Sequence, residues 1–224
     1  MGEEAFMKQQ IEEKLADGFT CIKLKIGAID FDKELQLLRF IREHFTPEQV
    51  EIRVDSNGAF DSDLALDKLI QLTEFKLHSI EQPIQKNHTD RMAELCKTTP
   101  FPIALDEELI GVFTLAEKEQ LLEKIKPQYI ILKPSFVGGF RGTQEWISLA
   151  EKHKIGWWIT SALESNIGLN AIAQWTFLQH NLMPQGLGTG ALYTNNFDCP
   201  LEVSQGQLWY KKELDWTFDF ALLK

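Results

Sequence analysis

Six charged side chains recur along this chain, and they are of the types that move protons and hold metal ions. Lys23 and Lys25 alternate across one apolar run. Asp55, Glu81 and Asp106 each close a later run, and Lys133 closes the next. A single Asp after an apolar run ordinarily caps a helix. Three carboxylates from three successive runs, with lysines before and after, ask for more, because burying so many charges without purpose costs on the order of several kcal/mol each. If they meet in one place they must be neutralised, and a hard divalent cation with oxygen ligands does this while keeping positions for water or substrate. Mg2+ is the expected ion, with Mn2+ as the alternative. Zinc is disfavoured, since no His or Cys stands at these run ends. Such a cation can hold a substrate carboxylate and offset the charge of an enediolate formed when an α-proton leaves. A lysine beside another cation has its pKa lowered and can serve as the base.

The elements that must position these residues follow from patterning. Six short β-branched runs, 21–26, 51–55, 78–81, 103–106, 129–133 and 156–160, read as strands. Amphipathic stretches at 4–17, 31–45, 64–75, 89–96, 115–125, 144–153 and 167–180 read as helices, with Asp30, Ser62 and Thr114 placed as N-caps. Residues 25, 55, 81, 106, 133 and 160 mark strand ends at steps of 30, 26, 25, 27 and 27. An even βα period suits a closed parallel barrel, the (β/α)8 TIM type, whose active site lies at the C-terminal ends of the strands. A weak seventh strand is expected at 185–187. No run precedes the helix at 4–17, so the barrel is expected to lack its first strand. Residues 1–224 read as one domain.

The spacing resembles a known family. Lys23-Leu24-Lys25 is a KxK on a strand, and Asp55-Ser56-Asn57 a DxN after the next. Glu81-Gln82-Pro83, Asp106-Glu107 and Leu132-Lys133-Pro134 follow in order. Together they resemble the enolase superfamily, muconate-lactonizing branch. Within it, Thr160-Ser161-Ala162-Leu163-Glu164-Ser165, Gly186-Leu187-Gly188-Thr189 and the aromatic tail with Cys199-Pro200 are similar to segments of the o-succinylbenzoate synthases. The resemblance implies a lyase that dehydrates 2-succinyl-6-hydroxy-2,4-cyclohexadiene-1-carboxylate to o-succinylbenzoate in menaquinone biosynthesis. It also implies roles. Asp55, Glu81 and Asp106 would bind Mg2+. Lys25 would take the α-proton, with Lys23 beside it depressing its pKa, and Lys133 would stabilise the anion from the opposite face. Asn57 would orient the metal shell. Thr160, Ser161 and Gly186 would contact the succinyl end, and Glu164 would orient lysines. Family members carry an N-terminal capping domain, so the chain is expected to be a truncated form of such an enzyme.

Composition sets the remaining bounds. Lys and Arg number 23 against 33 Asp and Glu, a net charge of −10, which argues against nucleic acid and anionic membrane as partners. No apolar run reaches the roughly 20 residues of a membrane helix. Three dispersed cysteines and an acidic start without a signal-peptide pattern point to a cytoplasmic protein acting on a small carboxylate. Gly138-Gly139-Phe140-Arg141-Gly142 reads as the start of a helix, not a phosphate loop. The aromatics Trp157, Trp158, Trp175 and Phe177 read as packing, and the five histidines as non-catalytic. Two rival readings remain. A racemase or epimerase of N-acylamino acids or dipeptides would use Lys25 and Lys133 on opposite faces of one carbon. An inactive barrel would serve as an interaction module.

Overall fold

Strands Cys21–Lys25, Glu51–Asp55 and Ser79–Glu81 alternate branched apolar and polar residues, while Ile103–Leu105, Tyr129–Leu132 and Gly156–Ile159 are apolar at both parities, and together they make a parallel sheet that curls upon itself. The computed structural model describes residues 4–187 and 193–217. Strands β1 (Cys21–Lys25), β2 (Glu51–Asp55), β3 (Ser79–Glu81), β4 (Ile103–Leu105), β5 (Tyr129–Leu132) and β6 (Gly156–Ile159) pair in that order, all parallel. Helices α1 (Glu4–Ala16), α2 (Phe31–His44), α3 (Ala65–Leu72), α4 (Thr89–Thr98), α5 (Leu115–Ile125), α6 (Gly139–Lys152) and α7 (Asn166–Phe177) alternate with them. The expected seventh strand is reduced to one parallel bridge, Thr160 with Gly186. Gly188 and Thr189 of the motif beginning at Gly186 lie outside the described residues.

Parity divides the core in two. Ile22, Leu24, Ile52, Val54, Ile80, Ile103, Leu105, Ile130, Leu132, Trp157 and Ile159 pack outward into one cluster with α2 to α7. Ala104, Ile131 and Trp158 form a second, inner cluster with Tyr129 and Met183. The curl is tight. Arg53 on β2 lays its guanidinium 4.1 Å from the centre of the Trp158 ring on β6, and donates to the Pro184 carbonyl at 3.0 Å. The sheet is thus most of a barrel. On its other side β1 has no partner strand among the described residues.

Helix ends follow their chemistry. Asp30 accepts from the backbone N–H groups of Asp32 and Lys33, and Thr114 with Glu117 closes a reciprocal capping box. Ser62 does not cap: α3 starts only at Ala65, and it is Asp61 that holds the preceding turn, through the Asp63 N–H. Helix α6 starts five residues earlier than its apolar periodicity suggests. Gly138, at φ +99°, lets the chain turn directly from the loop into the helix, as expected for that glycine cluster.

The tail forms a hairpin, β7 (Leu201–Ser204) with β8 (Gln207–Tyr210), turning at Gln205-Gly206. A Cβ on Gly206 would stand 2.4 Å from the Gly18 carbonyl oxygen, so this turn is laid against the α1–β1 loop. Of the aromatics expected in packing, Trp157 and Trp158 are buried and Trp175 stacks on Phe140. Phe177 departs, at 78% exposed, because it ends α7 on the outer face.

Candidate active site at the barrel mouth

Parity and register bring the charged strand ends to the inner face and to one end. Lys25 stands beside Asp55, and Asp55 beside Glu81, in neighbouring strands. Glu81 pairs with Ala104, so Asp106 projects from one step higher. Leu132 pairs with Ile159, which sets Lys133 beside Thr160. The carboxyl ends of β1 to β5 therefore form a rim in which three neighbouring acids stand between lysines.

The ammonium groups are interleaved with the acids. Lys23 Nζ donates to Asp55 Oδ2 at 3.1 Å and to Glu81 Oε2 at 2.9 Å. Lys25 Nζ lies 3.4 Å from Asp55 Oδ2 and donates to Asn57 Oδ1 at 2.5 Å. Lys133 Nζ is bonded to Asp106 Oδ2. Backbone anchors fix the acids. The Asn57 N–H donates to Asp55 Oδ1 at 3.0 Å, and Gln82 Oε1 accepts from the N–H groups of Asp106 and Glu108, both at 3.3 Å. Gln82 is fully buried at φ +40°, a strained position for such a residue, and it ties β3 to the turn after β4.

Electrostatics separate the three carboxyls. Burial pushes Glu81 up to about 8, with Asp55 and Asp106 repelling in the same direction and Lys23 opposing. At Asp55 burial pushes upward too, but Lys23 and Lys25 outweigh it and hold the carboxyl below its usual range. Burial pulls Lys23 down, yet Glu81 and Asp55 together raise it, so it stays charged. Glu81 Oε1 is buried with no hydrogen-bond partner. An unpaired oxygen on a carboxyl held up by burial and by two neighbouring acids is the arrangement a divalent cation relieves. Asp55, Glu81 and Asp106 therefore fit a hard cation with oxygen ligands. Among the described residues, the group of ligand-type side chains drawn within 4.8 Å of one another lies elsewhere: Glu119, Glu123 and His153 on the outer surface. At the mouth, lysine ammonium groups fill the corresponding room.

Other expected site residues take more local partners. Thr160 Oγ1 donates to the Gly186 carbonyl at 3.0 Å, as does the Ser161 N–H at 3.1 Å, and a Cβ on Gly186 would come 2.4 Å from Thr160 Oγ1. These three form the seam where the last bridge joins β6. Glu164 accepts from Ser135 Oγ at 2.5 Å and from the Ala162 N–H at 2.9 Å, tying the loops after β5 and β6 to each other and not reaching a lysine. The Asn57 side chain faces Lys25 and Glu107, so its backbone, not its amide, steadies the acid at Asp55. Gln82 and Ser135 went unnoticed as site residues. The φ that marks Gln82 leaves no trace in residue type, and Ser135 is one hydroxyl among many.

A family model described as "Enolase C-terminal domain-like" matches residues 6–213. The o-succinylbenzoate synthase of Desulfotalea psychrophila is 60% identical over 208 residues, covering 93% of this chain and 56% of that protein. The crystal structure of MenC from Desulfotalea psychrophila LSv54 superposes with a TM-score of 0.87 at 58% identity, over 93% of this chain and 57% of that one. An N-succinylamino acid racemase from Amycolatopsis sp is 28% identical over 195 residues, 87% of this chain and 51% of the racemase. The chain spans little more than half the length of these curated relatives.

Proposed function

The chain belongs to the enolase C-terminal domain-like family, and from that membership we propose that it is the barrel of a carbon–oxygen lyase. In this reading it dehydrates 2-succinyl-6-hydroxy-2,4-cyclohexadiene-1-carboxylate to o-succinylbenzoate, the step implied for menaquinone biosynthesis, in the cytoplasm. Residues 1–224 act as one domain. The observation that carries the reading is the rim in which Lys23, Lys25 and Lys133 face Asp55, Glu81 and Asp106, in a chain 60% identical to a named o-succinylbenzoate synthase.

Asp55, Glu81 and Asp106 would hold Mg2+, with Mn2+ as the alternative, and the ion would supply positive charge against the substrate carboxylate. The protein's own groups do the rest. Lys25, 51% exposed at the rim, takes the α-proton. The C–O bond to the ring hydroxyl then breaks, and the hydroxide leaves as water with a proton from the same ammonium. Lys133 is a fixed cation on the opposite side and stabilises the anion between these steps. Lys23 stays charged against Asp55 and Glu81. Thr160, Ser161 and Gly186 shape the wall that receives the succinyl end, and Glu164 braces that wall through Ser135 and Ala162.

The test is turnover by the full chain with Mg2+, followed by appearance of the aromatic product. Lys25→Ala and Lys133→Ala should each abolish it while the melting temperature holds. A folded, Mg2+-binding protein that forms no product overturns the lyase. Interconversion of N-succinylamino acid enantiomers in its place would establish the second reading, which two opposed lysines and the 28% identical racemase support. A folded barrel that binds no Mg2+ would favour an interaction module.

A further inference from the structure

Lys25 is a long side chain on β1, and two contacts hold its tip: the 2.5 Å bond from Nζ to Asn57 Oδ1 and the 3.4 Å ion pair with Asp55 Oδ2. Asn57 is held in turn. Its Nδ2 donates to Glu107 Oε1 at 2.9 Å. An ammonium can only donate and a carboxylate can only accept, so an amide between them has one permitted orientation. Glu107 does not touch Lys25 in this arrangement; it decides which end of the Asn57 amide Lys25 meets.

The backbone is committed to the same geometry. Asn57 sits in the left-handed region at φ +45°, a conformation that Asn tolerates better than most residues. The next residue, Gly58, is closed in by the β3–α4 loop, where a Cβ would stand 2.9 Å from Gln85 Cα. Gly58 N–H and Ser56 Oγ both reach the Gln82 carbonyl, at 2.7 and 2.8 Å. Glu107 opens the short turn after β4, whose N–H groups at Asp106 and Glu108 converge on Gln82 Oε1. Gln82 thus braces both the Asn57 turn and the Glu107 turn. The other Glu107 oxygen, Oε2, is buried without a hydrogen-bond partner, so the Asn57 amide is the side-chain partner this carboxylate has in return.

We infer that Glu107 is a positioning residue for Lys25, acting through the Asn57 amide. The inference rests on the reading of Lys25 as the base. Without the Glu107 acceptor the amide can turn its NH2 toward the ammonium, donor against donor, and the Lys25 tip keeps only its looser ion pair with Asp55. A displacement of about 1 Å at a reacting group can cost about a hundredfold in rate.

The experiment compares Glu107→Ala, Glu107→Gln, Asn57→Ala and the Asn57→Ala/Glu107→Ala double variant in the full chain. Glu107→Ala should lower kcat by about ten- to a hundredfold with KM little changed. Glu107→Gln keeps an oxygen that can accept from Asn57 and should restore most of the rate. The double variant should fall no further than Asn57→Ala alone, because the two residues act in series. A second readout needs no turnover: acylation of Lys25 by acetic anhydride at one fixed pH, read by peptide mass spectrometry. It should quicken several-fold in Glu107→Ala and Asn57→Ala, not in Glu107→Gln, and not further in the double variant.

Additive losses overturn the inference. So does unchanged Lys25 acylation in Glu107→Ala, or a folded Glu107→Gln as impaired as Glu107→Ala. A drop in Mg2+ affinity matching the drop in rate would assign the effect to Asp106 and also overturn it. If Glu107→Ala does not fold, Glu107→Met fills the space without accepting a hydrogen bond and carries the same comparison. Absence of turnover in the unmutated chain would defeat the proposed lyase, while the acylation series would still decide whether Glu107 governs Lys25.

Discussion

At the residue scale, Glu81 is under the greatest electrostatic tension. It is 2% exposed, faces Asp55 and Asp106, and carries one unpaired oxygen. A carboxyl raised from 4.5 to about 8 binds its proton more tightly when folded than when unfolded. Its contribution to stability is complete below about pH 4.5 and is lost as pH rises through about 8. The metal-free protein should therefore melt progressively lower from pH 5 to pH 8, and Glu81→Gln should flatten that slope. A cation must displace the same proton, so Mg2+ affinity should strengthen with pH up to about 8, by at most about tenfold per unit. Calorimetric titration at several pH values checks this, and a flat affinity profile contradicts it. The charged residues of the rim were legible in the sequence because each falls at a strand end, save Lys23, which shares a parity with Lys25 two residues before the end of β1. Their partners were not. Which amine sits on which acid depends on the stagger between strands, and stagger is a property of pairing that no single run displays. Asp106 therefore answers to Lys133, while Glu81 answers to Lys23.

At the scale of elements, legibility followed periodicity. Helices α2 and α5 lie within a residue of their apolar repeats, each started by the expected cap. The apolar repeat of helix α6 begins after its first turn because Gly139-Phe140-Arg141-Gly142 carries no apolar stripe. The turn is nonetheless helical, since Gly142 must lie against the chain, where a Cβ would stand 2.1 Å from the Val137 carbonyl oxygen. Ser62 has the side chain of a cap but stands two residues before the N-cap position, Leu64, which has no side-chain cap bond, and Asp61 holds the turn before the helix. Two substitutions test this account by urea denaturation. Thr114→Ala removes the capping box of α5 and should cost about 1 kcal/mol. Leu38→Ala, at a fully buried site where α2 meets the sheet, should cost about 2–5 kcal/mol. Equal losses would show that α2 is not packed as described.

At the scale of the molecule, an even βα period near 27 residues announced a barrel, and six parallel strands with a seventh contact at Gly186 are most of one. What periodicity could not convey is the tightness of the curl, set by Arg53 reaching across the interior to Trp158 and Pro184. The polar floor beneath the mouth, where Arg53 also donates to Glu51 at 2.7 Å, looked in the sequence like ordinary strand alternation. Hydrogen exchange should reflect the resulting asymmetry. In β1 the N–H groups of Leu24 and Ile26 point toward β2, and Ile26 donates to the Asp55 carbonyl at 2.8 Å. Those of Lys23 and Lys25 point to the side where the described residues supply no strand. Amides in β2 to β5 should exchange slowly, and Lys23 and Lys25 should exchange orders of magnitude faster than Leu24. Uniform protection along β1 would mean that this side is covered.

The margin that no strand covers among the described residues falls on the strand bearing two amines, whereas every acid of the rim hangs from or just beyond strands hydrogen-bonded on both flanks. In the proposed lyase, ion capture and proton removal would thus draw on mechanically different parts of one scaffold. Loosening or shoring up the margin should tune how fast a proton departs and leave the grip on a cation nearly as it was, so the two capacities can be altered independently.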